Sequence, residues 1–186
     1  MHYYLVPGTL AYTGHQLCSL WAYKNFGLLG DSIVAFRGPC SIDWDEMVDV
    51  EDVLDRSPIY GPDMLHFIVE HFSIDLDQMI CRQRLFMALI GEQLTRDGHR
   101  VERQGDDLYI SGRKLSISIA TASPVSVLMH VGLNLVSEGT PVPAVGLWEL
   151  GYREEALGEL AARFAEAYRA ELAGMARARC KVRGVS

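Results

Sequence analysis

From Arg100 to Leu135 apolar residues recur at every second position, and this period constrains the fold more than any other feature of the chain. A period of two sends alternate side chains to opposite faces of a strand, whereas a helix needs three- and four-residue steps. The segments "RVERQ" and "DLYIS" flank Gly105, Gly112 turns the chain again, and Ser123-Pro124 separates "KLSISIAT" from "VLMHVGLNL". The pattern predicts a four-stranded antiparallel meander over residues 100–135.

Elsewhere the period lengthens. "HYYLV" (2–6) and the buried run "SIVAFR" (32–37) read as strands, and "GHQLCSLWAYKNFG" (14–27) reads as a short helix closed by Gly27. Pro62 and Asp63 stand in helix-opening positions before "MLHFIVEHF", which predicts a helix over 62–72. A longer helix over 75–98 is stopped by Gly98. Leu157, Leu160, Phe164, Tyr168, Leu172 and Met175 form one apolar stripe on a last helix. Helices around one antiparallel sheet make an α+β arrangement. At 186 residues, 49% of them hydrophobic, the chain suits a single domain, residues 1–186, removing roughly 70% of its unfolded surface from water.

Charge narrows the partners. A net charge of −7 excludes a ligand held through many phosphates, so no nucleic-acid partner is expected. The basic tail "RARCKVR" (177–183) matches the dipole of a helix C-terminus. With no targeting segment and no apolar run of about 18 residues, the expected location is cytoplasmic, without a membrane partner. Cys18, Cys40, Cys81 and Cys180 form no C-x-x-C pair and read as reduced, mostly buried thiols. Asp63, His66 and Glu70 would share one face of the 62–72 helix, and seven acids crowd Asp43–Asp55. Both sets read as solvated faces, so no metal is assigned and no cofactor is identified.

The hairpin over 112–135 carries the candidate site. An odd turn, with Thr121 opposite Val125, would set Leu115, Ile117 and Ile119 beside Val127, Met129, Val131 and Leu133 as core. Lys114, Ser116, Ser118 and Ala120 would then face Ser126, Leu128, His130, Gly132 and Asn134. Small side chains leave room on such a floor for a helix, a second subunit in a homodimer, or a small-molecule ligand. Ser116, Ser118, Gly132 and Asn134 are therefore candidate ligand-binding residues, with Lys114 and His130 at the rim. Arg37, ending a buried strand, needs a carboxylate or phosphate, and Asp31 and Ser32 offer either an ordinary turn or a polar rim.

"GRKL" (112–115), an alternating strand, a return strand and "HVGLNL" (130–135) resemble the central hairpin of biotin and lipoate protein ligases and octanoyl transferases. The resemblance implies a class II aminoacyl-tRNA synthetase-like fold and a Lys114 that contacts an acyl or acyl-adenylate group. Gly132-Leu133-Asn134-Leu135 matches the G-[IL]-N-[VLM] signature of the return strand. The whole chain, with "WAYKNFGLLGDSIVAFRGPC" at 21–40, is similar to the family catalogued as domain of unknown function 366. The chain departs from the ligases in three ways. Arg37-Gly38 stands alone where they have an Arg- and Gly-rich adenylate loop, Ile117 replaces a glycine after the lysine, and no cysteine follows the return strand. The expected function is ligase- or acyltransferase-like handling of a small carboxylate-bearing or nucleotide-like compound, with Lys114 stabilising negative charge and His130 as acid or base. The alternative is a non-catalytic ligand sensor or dimer scaffold on the same fold.

Overall fold

In a computed structural model, which describes residues 1–56 and 58–185, the chain is α+β. The order is β1 (His2–Thr9), α1 (Trp21–Phe26), β2 (Ser32–Ser41), α2 (Val50–Leu54), β3 (Tyr60–His71), α3 (Leu76–Arg96), β4 (Val101–Gln104), β5 (Asp107–Ile110), β6 (Arg113–Lys114), β7 (Ser116–Ala122), β8 (Val127–Val136) and α4 (Leu157–Arg179). Five strands form the main sheet in the order β1-β2-β3-β8-β7, and β4-β5-β6 form a separate three-stranded sheet. The predicted meander is therefore two pieces. The chain leaves strand geometry at Leu115, whose N–H donates to Leu108 in the small sheet while its carbonyl accepts from Asn134 in the large one.

One face of the main sheet is covered by α3 and α4. Ile33 and Ala35 of β2, Leu65, Phe67 and Val69 of β3, and Met129, Val131 and Leu133 of β8 pack there against Phe86, Met87 and Ile90 of α3 and Phe164 and Tyr168 of α4. The predicted stripe on the last helix is this contact as far as Leu172; Met175 lies beyond it and is exposed. Asp75 caps α3 by accepting from the Gln78 N–H at 2.8 Å, and Gly98 ends it at φ +96°, which L side chains avoid. The opposite face, with Val34, Phe36, Met64, Ile68 and Leu128, is covered by Tyr12, Trp21 and Ala22 and by the segment around Ile42 and Ile59.

Residues 62–72 are strand, not helix. β3 lies between β2 and β8 and is buried on both faces, so Met64–Val69 is apolar at every position but His66, and such a run has no period that distinguishes strand from helix. Pro62 opens no helix. It falls within the register shift of β3 against β2 and just before the first residue paired with β8, and there its missing N–H costs no ladder bond. Asp63, His66 and Glu70 thus lie along a strand. The helix expected over 14–27 shrinks to Trp21–Phe26, because buried Glu70 accepts from the Leu20 N–H at 2.8 Å and holds Leu20 at φ 64°. Gly27 caps it as expected. Only Cys40 is buried; Cys18, Cys81 and Cys180 are exposed. No helix among the described residues is long and apolar enough to cross a membrane.

The hairpin register also differs from expectation. Ala122 pairs with Val127, Ser118 with Val131 and Ser116 with Leu133, across a four-residue loop. Ser123 and Ser126 build that loop: the Ser123 N–H donates to the Ser126 carbonyl at 2.8 Å, and the Ser126 N–H donates to Ser123 Oγ at 3.0 Å. This even count inverts β7 relative to β8. Ser116 and Ser118 turn toward the helix-covered side, while Ile117 joins Leu128 and Met64 on the other. The serines tolerate burial because they are satisfied. Ser116 Oγ accepts from the Leu108 N–H at 2.8 Å, and Ser118 Oγ accepts from Gln83 at 2.7 Å.

Candidate functional site

Over the second face of the sheet lies a cavity of about 420 Å³. Met64 of β3 and His130 and Asn134 of β8 form its floor, with Tyr12 beside them. Ile42, Val48 and Ile59 come from the covering segment, and Asp52, Asp107 and Lys114 from its sides. No long helix covers this face, so the irregular chain above it leaves space that α3 and α4 fill on the other.

Two neutral imidazoles anchor the floor. His66 Nδ1 lies 2.9 Å from His130 Nε2, and His66 Nε2 lies 3.1 Å from the Gly38 carbonyl. A carbonyl only accepts, so His66 carries its proton on Nε2 and its Nδ1 accepts from His130 Nε2–H. Burial pulls the His66 pKa down to about 4, and burial followed by the charge of His66 pulls His130 well below its ordinary value. His130 Nδ1 therefore holds a lone pair. Only the Tyr3 hydroxyl and Ser32 Oγ are both sealed from solvent and unpartnered among the described residues, so the unpartnered His130 Nδ1 is not fully sealed, and His130 lines the cavity. The same holds for the Tyr12 hydroxyl, whose ring stacks on His130 at 3.7 Å and 13°. Burial keeps Tyr12 protonated.

Lys114 stands at the cavity wall with Nζ 2.8 Å from Asp107 Oδ2. Burial raises the Asp107 carboxyl even with this partner beside it. Asn134 also reaches the cavity, but its amide donates to the Lys114 carbonyl at 3.2 Å and so ties β8 to the strand carrying the lysine. Gly132 is a spacer. A Cβ there would lie 2.9 Å from Met64 Cε and 3.1 Å from Ile117 Cγ1. Ser116 and Ser118 border the cavity from the edge strand, with hydroxyls engaged on the helix side.

The other expected site residues lie elsewhere. Arg37 is on the helix-covered face, donating to both oxygens of Asp63 and, at 2.5 Å, to Glu154. Parity explains its placement: two residues after Ala35 on the same strand, it must share that face. Asp31 and Ser32 sit at the far end of β2, where Asp31 accepts from the Phe72 N–H at 3.0 Å and Ser32 pairs with Glu70 in the ladder. None of these three reaches the cavity. The sequence assigns Tyr12 no role and reads His66 and Asp52 as parts of solvated faces, whereas His66 is fully buried beside His130 and Asp52 lines the cavity. A strand reading of 62–72 would have put His66 in register beside β8; Tyr12 carries no periodic signal at all.

The model of the family described as "Domain of unknown function (DUF366)" matches residues 1–183. An uncharacterised protein of Methanocaldococcus jannaschii is 37% identical over 169 residues, covering 87% of this chain and 76% of its own. A solved protein of unknown function from Pyrococcus horikoshi is 43% identical with a TM-score of 0.93, covering 100% of this chain and 99% of the other. At 12% identity, a putative lipoate protein ligase from T. acidophilum with bound lipoic acid has a TM-score of 0.58 over 91% of this chain and 86% of its own. Biotin protein ligase from Aquifex aeolicus in complex with biotin and ATP has a TM-score of 0.57 at 13% identity, over 89% and 70%. These last two likenesses concern the fold, which is that of the biotin and lipoate protein ligases.

Proposed function

The chain belongs to the family described as domain of unknown function DUF366, and from that premise we propose that it binds a small organic molecule in the cavity over the second sheet face. One observation carries the reading. Two side chains that are each 1% exposed, Tyr12 and His130, line a cavity of a size that suits a small ligand, and each carries a polar atom with no partner among the described residues. Such groups are normally satisfied, and a ligand satisfies them here. The fold likeness to proteins solved with lipoic acid and with biotin and ATP is consistent with this reading.

Binding without transfer chemistry fits the charges best. Adenylation needs several cations around a phosphate. Arg37 is held by Asp63 and Glu154 on the opposite face, and Lys114 is neutralised by Asp107. The ligase- or acyltransferase-like reading rests on Lys114, the residue that the resemblance places against an acyl group, with His130 as acid or base in the same cavity. Two measurements test these readings. Native protein incubated with a metabolite extract and repurified should release one molecule per chain on unfolding, and an Ile117→Trp variant that fills the cavity should release none. Equal release from both would overturn the assignment. Mixed with ATP and biotin, lipoate or octanoate, the protein should liberate no pyrophosphate; release that disappears in Lys114→Ala would establish transfer instead.

A further inference from the structure

The lining of the cavity is one-sided in charge. Glu46, Asp49, Asp52, Asp106 and Asp107 border it against a single lysine, and that lysine is already paired with Asp107. Asp52 has no hydrogen bond or ion pair with any described residue, and burial, ahead of the nearby Asp49, raises its carboxyl. At the floor the Tyr12 hydroxyl is free to donate or accept, while His130 Nδ1 can only accept, because the neighbouring His66 fixes its tautomer. Leu17, Val48, Ile59, Ile117 and Ile119 add apolar surface to the same lining.

From this distribution we infer that the occupant is a small organic amine, protonated at neutral pH, with an apolar middle and a neutral N–H or O–H donor that His130 Nδ1 accepts. The inference rests on the reading of the cavity as a ligand site and specifies its chemistry. A carboxylate- or phosphate-bearing compound would enter a field of like charge with no unpaired cation to meet it. A bare divalent ion fits no better, since no three described His, Cys, Asp or Glu side chains converge as a ligand set. An ammonium carried on an apolar body matches both the diffuse negative charge and the aliphatic wall. Lys114 then neutralises Asp107 in the empty site, and the arriving amine competes with it.

Three probes of one six-carbon skeleton test this: 6-aminohexanamide, adipamate with a carboxylate in place of the terminal aminomethyl group, and uncharged hexanamide. Binding to the full chain is followed by NMR at the amides of residues 117–119 and 130. The amine should bind at least tenfold more tightly than adipamate and more tightly than hexanamide. Its affinity should fall about tenfold in Asp107→Asn and rise severalfold in Lys114→Ala. Asp52→Asn, a change at an unpaired side chain, gives the same expected loss if Asp107→Asn does not fold. Adipamate binding as well as the amine would overturn the charge assignment and leave the cavity a ligand site. Shifts from none of the three would overturn both.

Discussion

The two faces of the five-stranded sheet are built from the same strands and finished differently. On one, α3 and α4 lay continuous apolar stripes across alternate residues of β2, β3 and β8, and the side chains there are closed off from water. On the other, two short helices, α1 and α2, and irregular chain make the cover, and beneath them lie a histidine pair, a buried carboxylate at Glu70 and the cavity. A helix presents a regular ridge that packs a sheet without gaps. Irregular chain cannot do so over the same area, and the room it leaves is where polar chemistry collects.

The largest test of this contrast is truncation. Phe86→Ala on the helix-covered face should cost about 3–5 kcal/mol in denaturant unfolding, because α3 cannot collapse into the space left. Ile117→Ala, bordering a cavity that already exists, should cost less than half of that. Equal losses would mean that both faces are packed alike. The next effect is a pH dependence belonging to the loop-covered face. Burial holds His66 at about 4 and pulls His130 well below its ordinary value, so between pH 6.5 and 4 the unfolded chain binds protons that the native state does not. The contribution of His66 to stability is then full above pH 6.5 and declines as pH falls through that window, by up to about 1.4 kcal/mol per pH unit, and His130 acts in the same direction. Urea midpoints measured across it should show this slope, and a His66→Leu/His130→Leu double variant should flatten it. The smallest change tests the register. Ser116→Ala leaves the Leu108 N–H buried without an acceptor and should destabilise by about 1–3 kcal/mol, whereas a serine facing an open floor would tolerate alanine within about 0.5 kcal/mol.

What could be read before folding, and what could not, divides along these same faces. The α4 stripe and the cap and stop of α3 follow from local chemistry, and the structure reproduces them. The alternation of β8 was equally plain: Met129, Val131 and Leu133 face the helices, with His130 and Asn134 opposite. β7 was inverted because its serines looked like a polar floor. Their hydrogen bonds run to Leu108 and Gln83, partners that neighbour them only in three dimensions. Of the expected site, Lys114, His130 and Asn134 reach the cavity, while Arg37, Asp31 and Ser32 do not.

The sequence by itself determined the class of fold, the elements with a strong period and, through the residues at 112–115 and 130–135, the family resemblance. Each of these depends on neighbours within a turn or a strand. Only the tertiary structure decided that 62–72 is a central strand, that an even loop joins β7 to β8, and that Tyr12 and His130, stacked on each other next to His66, line one cavity with Asp52 and Asp107. The reason is the same in all three cases. Burial on both faces erases period, and a hydrogen bond between distant segments satisfies a polar side chain that its own segment leaves without a partner.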